Sequence, residues 1–159
     1  MLLPDDLMVG RPGALKQMID AYAGLGGNIV CAQEVPAERT ASYGIITPGA
    51  TDGPATEVRG LVEKPAPEEA PSRLGVVGRY ILQPQVMDIL EKGQRGAGGE
   101  IQLTDAMAEL IGQQPFHALK VDAVRHDCGD KAGFVLANLA IALEREDLAP
   151  RIEEFLASR

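Results

Sequence analysis

Along the chain, short apolar runs alternate with segments whose apolar positions recur every three or four residues, a pattern that predicts strands interleaved with helices. The first run, residues 1–4, stops abruptly at Asp5 and Asp6 and predicts a buried strand whose C-terminal end presents carboxylates. Leu15, Met18, Ile19, Tyr22 and Leu25 then fall at helical spacing, with Gly26 and Gly27 as a stop. Residues 28–35 read as a buried strand, residues 43–47 as a short second one followed by a glycine-rich loop, and residues 57–63 as a third that ends before Pro65. A surface loop over residues 66–72 leads to another strand over 74–82. Pro84 suits the first turn of a helix over 85–91, and residues 93–99 read as a flexible connector. Thr104 is placed to cap a helix running to residue 111, and residues 116–121 return as a strand. Asp130 would cap a long helix from residue 131 to about residue 145, and Pro150 would open a last short one.

Strands alternating with helices predict an α/β layer fold. The two neighbouring strands around Tyr43 and Glu57 require antiparallel pairing, so the expected sheet is mixed. In the long helix near the end, residues 134–143 (FVLANLAIAL) are apolar on nearly every side, which predicts burial on two faces. Leu136, Leu139 and Leu143 are expected to pack on the sheet, leaving Phe134, Ala137 and Ile141 for another surface.

Composition changes this picture little. A chain of 159 residues with 45% apolar composition suffices for one domain with a real core. The formal charge of −8 argues against nonspecific binding to nucleic acid or to an anionic membrane, so a phosphorylated ligand would need local lysines. No stretch approaches the roughly 20 apolar residues that span a bilayer, and no basic region precedes an apolar run at the N-terminus. The expected location is the cytoplasm. Cys31 and Cys128 are expected to be free thiols, Cys31 within the core.

Charge collects at three predicted strand ends: residues 3–6, 62–65 and 125–131. Ligands of open α/β sheets bind beyond such ends, so the three can converge, although any one alone reads as a solvated turn. The adjacent His126, Asp127 and Cys128 do not read as a nucleophilic site, because neighbours on a strand point to opposite faces. His117 and His126 are too few and too separate for a zinc motif.

Six segments occur together and in order: LLPDDLM at 2–8, YGI at 43–45, GLVEKP at 60–65, VVGRYIL at 76–82, GAGGEIQLTDA at 96–106 and DCGDK at 127–131. Their order and approximate spacing resemble those of the bacterial UTP:glucose-1-phosphate uridylyltransferases, the UDP-glucose pyrophosphorylases. GAGGEIQLTDA together with DCGDK separates that family from the related thymidylyl- and adenylyltransferases. The resemblance covers essentially the whole chain but only about the back half of the family's length. It implies that residues 1–159 form the C-terminal, sugar-phosphate-binding portion of a Rossmann-like nucleotidyltransferase fold, with a mixed sheet flanked by helices and C-terminal helices at about 131–157.

The activity implied by the resemblance is transfer of a uridylyl group from UTP to glucose 1-phosphate, giving UDP-glucose and pyrophosphate, with Mg2+ bridging phosphates. Asp5 and Asp127 match the family's metal-holding positions. Lys64 matches the residue that meets the sugar phosphate and serves catalysis, and Glu63 matches the one that takes hydrogen bonds from sugar hydroxyls. Backbone groups at Gly44 and Val76 match positions that face the sugar. Most of residues 98–105 is expected to be structural. A homo-oligomer through the C-terminal helices also follows from the resemblance.

The family's glycine-rich triphosphate loop and uracil-binding region have no counterpart in this sequence. Residues 24–27 are no substitute, since they follow a helix instead of opening one after a strand. The expectation is therefore that the N-terminal nucleotide-binding part is absent and that these residues alone are inactive. The alternative is a non-catalytic sugar-phosphate-binding or assembly module.

Overall fold

The computed structural model describes residues 1–96 and 99–159. In chain order the elements are β1 (Asp6–Val9), α1 (Ala14–Leu25), β2 (Asn28–Glu34), a 3-10 helix (Ala37–Ser42), β3 (Gly44–Asp52), β4 (Ala55–Glu63), β5 (Leu74–Ile81), α2 (Gln85–Glu91), α3 (Leu103–Leu110), β6 (Phe116–Leu119), β7 (Val124–Asp127), α4 (Lys131–Leu143) and α5 (Ala149–Ala157). Of the expected connector over residues 93–99, Ala97 and Gly98 lie outside the described residues.

The sheet is mixed, as the pattern predicts. Five strands follow one another in the order β2-β5-β3-β4-β6 and close a ring, with β6 returning to β2. The β2–β6 pair is parallel and the others are antiparallel. β2 is apolar on both faces because both are covered, and its successive residues divide between two cores. Val30 and Ala32 join Ile46, Val58, Tyr80 and Phe116 in one core, which α2 and α3 close with Val86, Met107 and Leu110. Ile29 and Cys31 join Val77, Leu119 and Met18 of α1 in the other. Each fully buried large aliphatic side chain contributes about 1.5–3 kcal/mol. Cys31 is buried and free, and burial pushes its thiol up to about 11.

α1 and α2 occupy the predicted residues, but of the apolar positions predicted on α1 only Met18 and Leu25 face the core. Ala14 and Met18 are buried, Ala21 and Leu25 pack beside them, and Leu15 and Ile19 are exposed. Spacing fits both stripes. Contact with the sheet selects the one with the smaller residues, which lets the helix sit close.

Four further expectations need correction. Residues 1–4 are not a buried strand: Met1 and Leu3 bond to the backbone of β5 at Tyr80 and Gly78, yet Met1, Leu2 and Leu3 keep exposed side chains. A turn at Pro4-Asp5 interrupts the run, and the strand begins at Asp6. β3 continues through Asp52 where a loop was expected, because two register irregularities around Pro48 accommodate a residue that cannot donate to the ladder. Thr104 does not cap α3; Gln102 occupies that position without a side-chain cap, and Thr104 stands inside the first turn. On α4, capped by Asp130 through Gly133 N, Leu136 is 63% exposed instead of packed on the sheet and Ala137 is buried instead of facing outward, while Phe134 is exposed as its expected face requires. α4 rests on β7 and α5 instead of on the main sheet, and the small Ala137 permits that approach.

β1 and β7 form a separate antiparallel ribbon in which Asp6 pairs with Asp127 and Met8 with Arg125. Among the described residues no helix is long and apolar enough to cross a membrane.

Candidate functional site

The ribbon is joined to the main sheet by polar contacts around one glycine. Asp6, 6% exposed, takes a 2.7 Å hydrogen bond from Gly78 N of β5, and its other oxygen receives Arg125 Nε. A Cβ on Gly78 would sit 2.6 Å from Asp6 Oδ2, so only glycine lets the carboxylate reach the strand. Arg79 reinforces the junction by donating to the carbonyls of Leu3, Gly78 and Asp6. The ends of β1 and β7 therefore lie over β5, where its Val76, Gly78 and Tyr80 line a cleft of about 390 Å³.

All six of the matched segments contribute to this cleft. Asp5 and Asp127 enter from the ribbon, Gly44 from the start of β3, Glu63 from the end of β4 and Val76 from β5. Lys64 stands at the rim, half exposed, with its Nζ 3.4 Å from Glu63 Oε1. It is also the only non-glycine residue at positive φ among those described, at 47°, and its N–H donates to Tyr43 O at 3.0 Å. A side chain in that region costs free energy, a cost found where surrounding structure imposes a functional orientation. All six residues singled out from sequence thus lie in or beside one cleft.

The two aspartates face each other across a glycine. A Cβ on Gly129 would sit 3.2 Å from Asp127 Oδ1 and 3.4 Å from Asp5 Oδ2. The adjoining backbone holds this arrangement: Cys128 N donates to Asp5 O at 2.7 Å, and Gly129 N to Asp127 Oδ1 at 3.1 Å. The other oxygen of Asp127 faces cations, with Arg125 at 3.4 Å, Arg39 at 3.7 Å and the Tyr43 hydroxyl at 3.5 Å. Among the described residues no cluster of three or more His, Cys, Asp or Glu side chains could hold a metal. Two carboxylate oxygens nonetheless fit magnesium, which keeps several waters and takes its remaining ligands from substrate phosphates.

Sequence reasoning gave no role to Arg125, Asp6, Tyr43 or Arg39. Arg125, only 12% exposed at its side chain, donates to Asp6 and to Tyr43 Oη at 3.2 Å and lies 5.4 Å from the Tyr43 ring centre. Burial opposes its charge, but hydrogen bonds to Tyr43 and Asp6 outweigh that and hold its pKa above the usual arginine value. Burial, followed by the nearby charges of Asp6, Glu63 and Asp5, pushes the Tyr80 hydroxyl up to about 12, so it stays neutral in the cleft. Cys128 lines a different groove, with Phe134 and Ala137 of α4, while Asp127 lines the cleft.

Fold and cleft together define an α/β domain that sets paired acids beside several cations, a combination suited to polyanionic ligands and their counter-ions. The chain belongs to the nucleotidyl transferase family, whose model matches residues 1–143. It is 50% identical over 131 residues to a UTP–glucose-1-phosphate uridylyltransferase of Komagataeibacter xylinus, covering 82% of this chain and 46% of that protein. It is 42% identical over 156 residues to a UTP–glucose-1-phosphate uridylyltransferase of Bacillus subtilis, covering 98% of this chain and 52% of that one. Among solved structures, a UDP-glucose pyrophosphorylase complexed with UDP-glucose matches with a TM-score of 0.86 at 36% identity, over 91% of this chain and 56% of that one. A UTP-bound enzyme of the same name from Acinetobacter baumannii matches with a TM-score of 0.82 at 33% identity, over 98% and 54% respectively. The chain thus spans about half the length of the relatives it matches.

Proposed function

We propose that these residues form the sugar-phosphate side of an enzyme that transfers a uridylyl group from UTP to glucose 1-phosphate, giving UDP-glucose and pyrophosphate. The observation that carries this reading is the meeting of Asp5, Glu63, Lys64 and Asp127 around one cleft, in a chain similar to proteins of that name. Lys64 offers its ammonium to the phosphate, Glu63 accepts from sugar hydroxyls, and backbone groups at Gly44 and Val76 border the ring. A phosphate oxygen of the sugar attacks the α-phosphorus of UTP while pyrophosphate leaves, so positioning and charge neutralisation are the protein's main tasks. Mg2+ held by Asp5 and Asp127 would supply neutralising charge to the phosphates when bound. The triphosphate cradle must come from other residues, because Gly24, Gly26 and Gly27 lie at the end of α1 and point no helix N-terminus at the cleft. The 159 residues alone are accordingly expected to bind glucose 1-phosphate without forming UDP-glucose. A cytoplasmic location belongs to the same reading.

Calorimetric titration of the chain with glucose 1-phosphate, with and without magnesium, tests the proposal. Asp5→Asn and Asp127→Asn should each raise the magnesium concentration for half-maximal ligand binding by about fivefold or more, since each removes one of two carboxylates. An unchanged magnesium dependence in both variants would reduce these residues to turn aspartates.

The partner expected at the C-terminal helices is a second copy of the chain. α4 and α5 expose Phe134, Val135, Leu136, Phe155 and Leu156, an apolar surface that favours burial against another protein face. Light scattering should show a dimer that Phe134→Glu combined with Leu136→Glu converts to monomer. A wild-type monomer would refute this assembly.

A further inference from the structure

The GAGGEIQLTDA segment is left without a chemical role by the reading above, yet it delivers a side chain to the cleft. Because α3 starts at Leu103 and not after Thr104, the threonine sits in the first helical turn, and it lines the cleft beside Gly44 and Glu63. A Cβ on Gly44 would meet Thr104 Oγ1 at 3.1 Å, Thr104 Cγ2 at 3.3 Å and Glu63 Oε2 at 3.3 Å. Hydroxyl and carboxylate therefore approach the same point of the cleft wall, from an α-helix and a strand about 40 residues apart.

Both groups have unused hydrogen-bonding capacity. The Glu63 side chain is 10% exposed and its Oε1 faces Lys64, while its Oε2 receives no hydrogen bond among the described residues. The Thr104 hydroxyl likewise has no hydrogen-bond partner among the described residues. Solvent still reaches Glu63 Oε2 in the open cleft, but the side chain is only 10% exposed, so a ligand that fills the cleft covers this acceptor and must supply its donor. Threonine is stiff at χ1, and packing of its methyl group beside Gly44 holds the hydroxyl in this direction.

We propose that Thr104 is a specificity-determining residue that hydrogen-bonds a sugar hydroxyl adjacent to the one donating to Glu63 Oε2. The inference rests on the sugar-phosphate reading of the cleft and deepens it: the first turn of α3 reads a vicinal diol of a hexose 1-phosphate. Glu63 can only accept, whereas Thr104 can donate or accept, so the pair matches two neighbouring hydroxyls linked in one direction. A deoxy sugar would cover both groups while leaving one of them unpaired, and so be rejected.

The test is calorimetry on the 159-residue chain with glucose 1-phosphate, its 2-, 3- and 4-deoxy analogues, and inorganic phosphate. Thr104→Val keeps the shape and removes the hydroxyl; Thr104→Ser keeps the hydroxyl. Thr104→Val should weaken glucose 1-phosphate about tenfold, leave inorganic phosphate unchanged, and bind one deoxy analogue as the wild type does. Thr104→Ser should restore most of the affinity for glucose 1-phosphate. If the wild type binds glucose 1-phosphate but Thr104→Val binds it within twofold, or loses affinity equally for every analogue, the role of Thr104 is overturned while the sugar-phosphate reading stands. If the wild type with magnesium does not bind glucose 1-phosphate, that reading fails and the inference fails with it.

Discussion

Replacing Arg125 with leucine is expected to cost about 3–5 kcal/mol of stability, the range for breaking one partner out of a buried ion pair. The size follows from what is left behind. Asp6, 6% exposed, would keep its bond from Gly78 N but lose the guanidinium that balances its charge. The Tyr43 hydroxyl would lose a donor and its ring a stacked cation. Against a total stability of roughly 5–15 kcal/mol, this is a large fraction. Joint replacement of Asp6 by leucine and Arg125 by methionine should cost less than Arg125→Leu alone, because no uncompensated charge remains. Urea denaturation of the three proteins gives the comparison, and a loss below about 1 kcal/mol for Arg125→Leu would show that the pair is not a structural hub.

The second large effect is expected at Lys64. Lys64→Ala should weaken glucose 1-phosphate binding about 10- to 100-fold, corresponding to a charge-assisted hydrogen bond to phosphate worth roughly 1.5–3 kcal/mol. The ammonium is half exposed, which places the effect toward the lower end. Backbone strain supplies a way to separate charge from conformation. Glycine at position 64 adopts the observed φ of 47° without penalty, so Lys64→Gly should fold at least as stably as Lys64→Ala while binding the ligand equally poorly. Calorimetry with glucose 1-phosphate, accompanied by thermal melts, distinguishes the two contributions. A change in affinity of less than threefold for Lys64→Ala would remove this residue from the phosphate site.

The extents of α1, α2 and α4 were legible because helical spacing, glycine stops and an aspartate cap act within one turn of the chain. The faces they bury were less legible. On α4 nearly every position is compatible with burial, and on α1 two overlapping apolar stripes fit the spacing, so only the neighbouring element selects the face. The length of β3 was hidden by Pro48 and Gly49, which a bulged register tolerates. At the site, the six matched residues were legible through segments that are short and local. The Asp6–Arg125 pair was not, because its partners are 119 residues apart and meet only once the ribbon is in place. Thr104 looked like a cap because a threonine before an apolar helical run ordinarily serves as one.

The β1–β7 ribbon carries a thermodynamic consequence. Asp5 immediately precedes one of its strands and Asp127 ends the other, so the two carboxylates confront each other only when chain segments at opposite ends of the sequence have closed on one another. Loop closure over such a separation carries an entropic cost that local structure does not share. Ligand that requires both acids therefore binds the closed ribbon alone, and its binding free energy adds to closure by mass action. Occupancy of the cleft and integrity of the ribbon are thus linked quantities: conditions that loosen the ribbon lower apparent affinity, and saturating ligand protects the ribbon from opening.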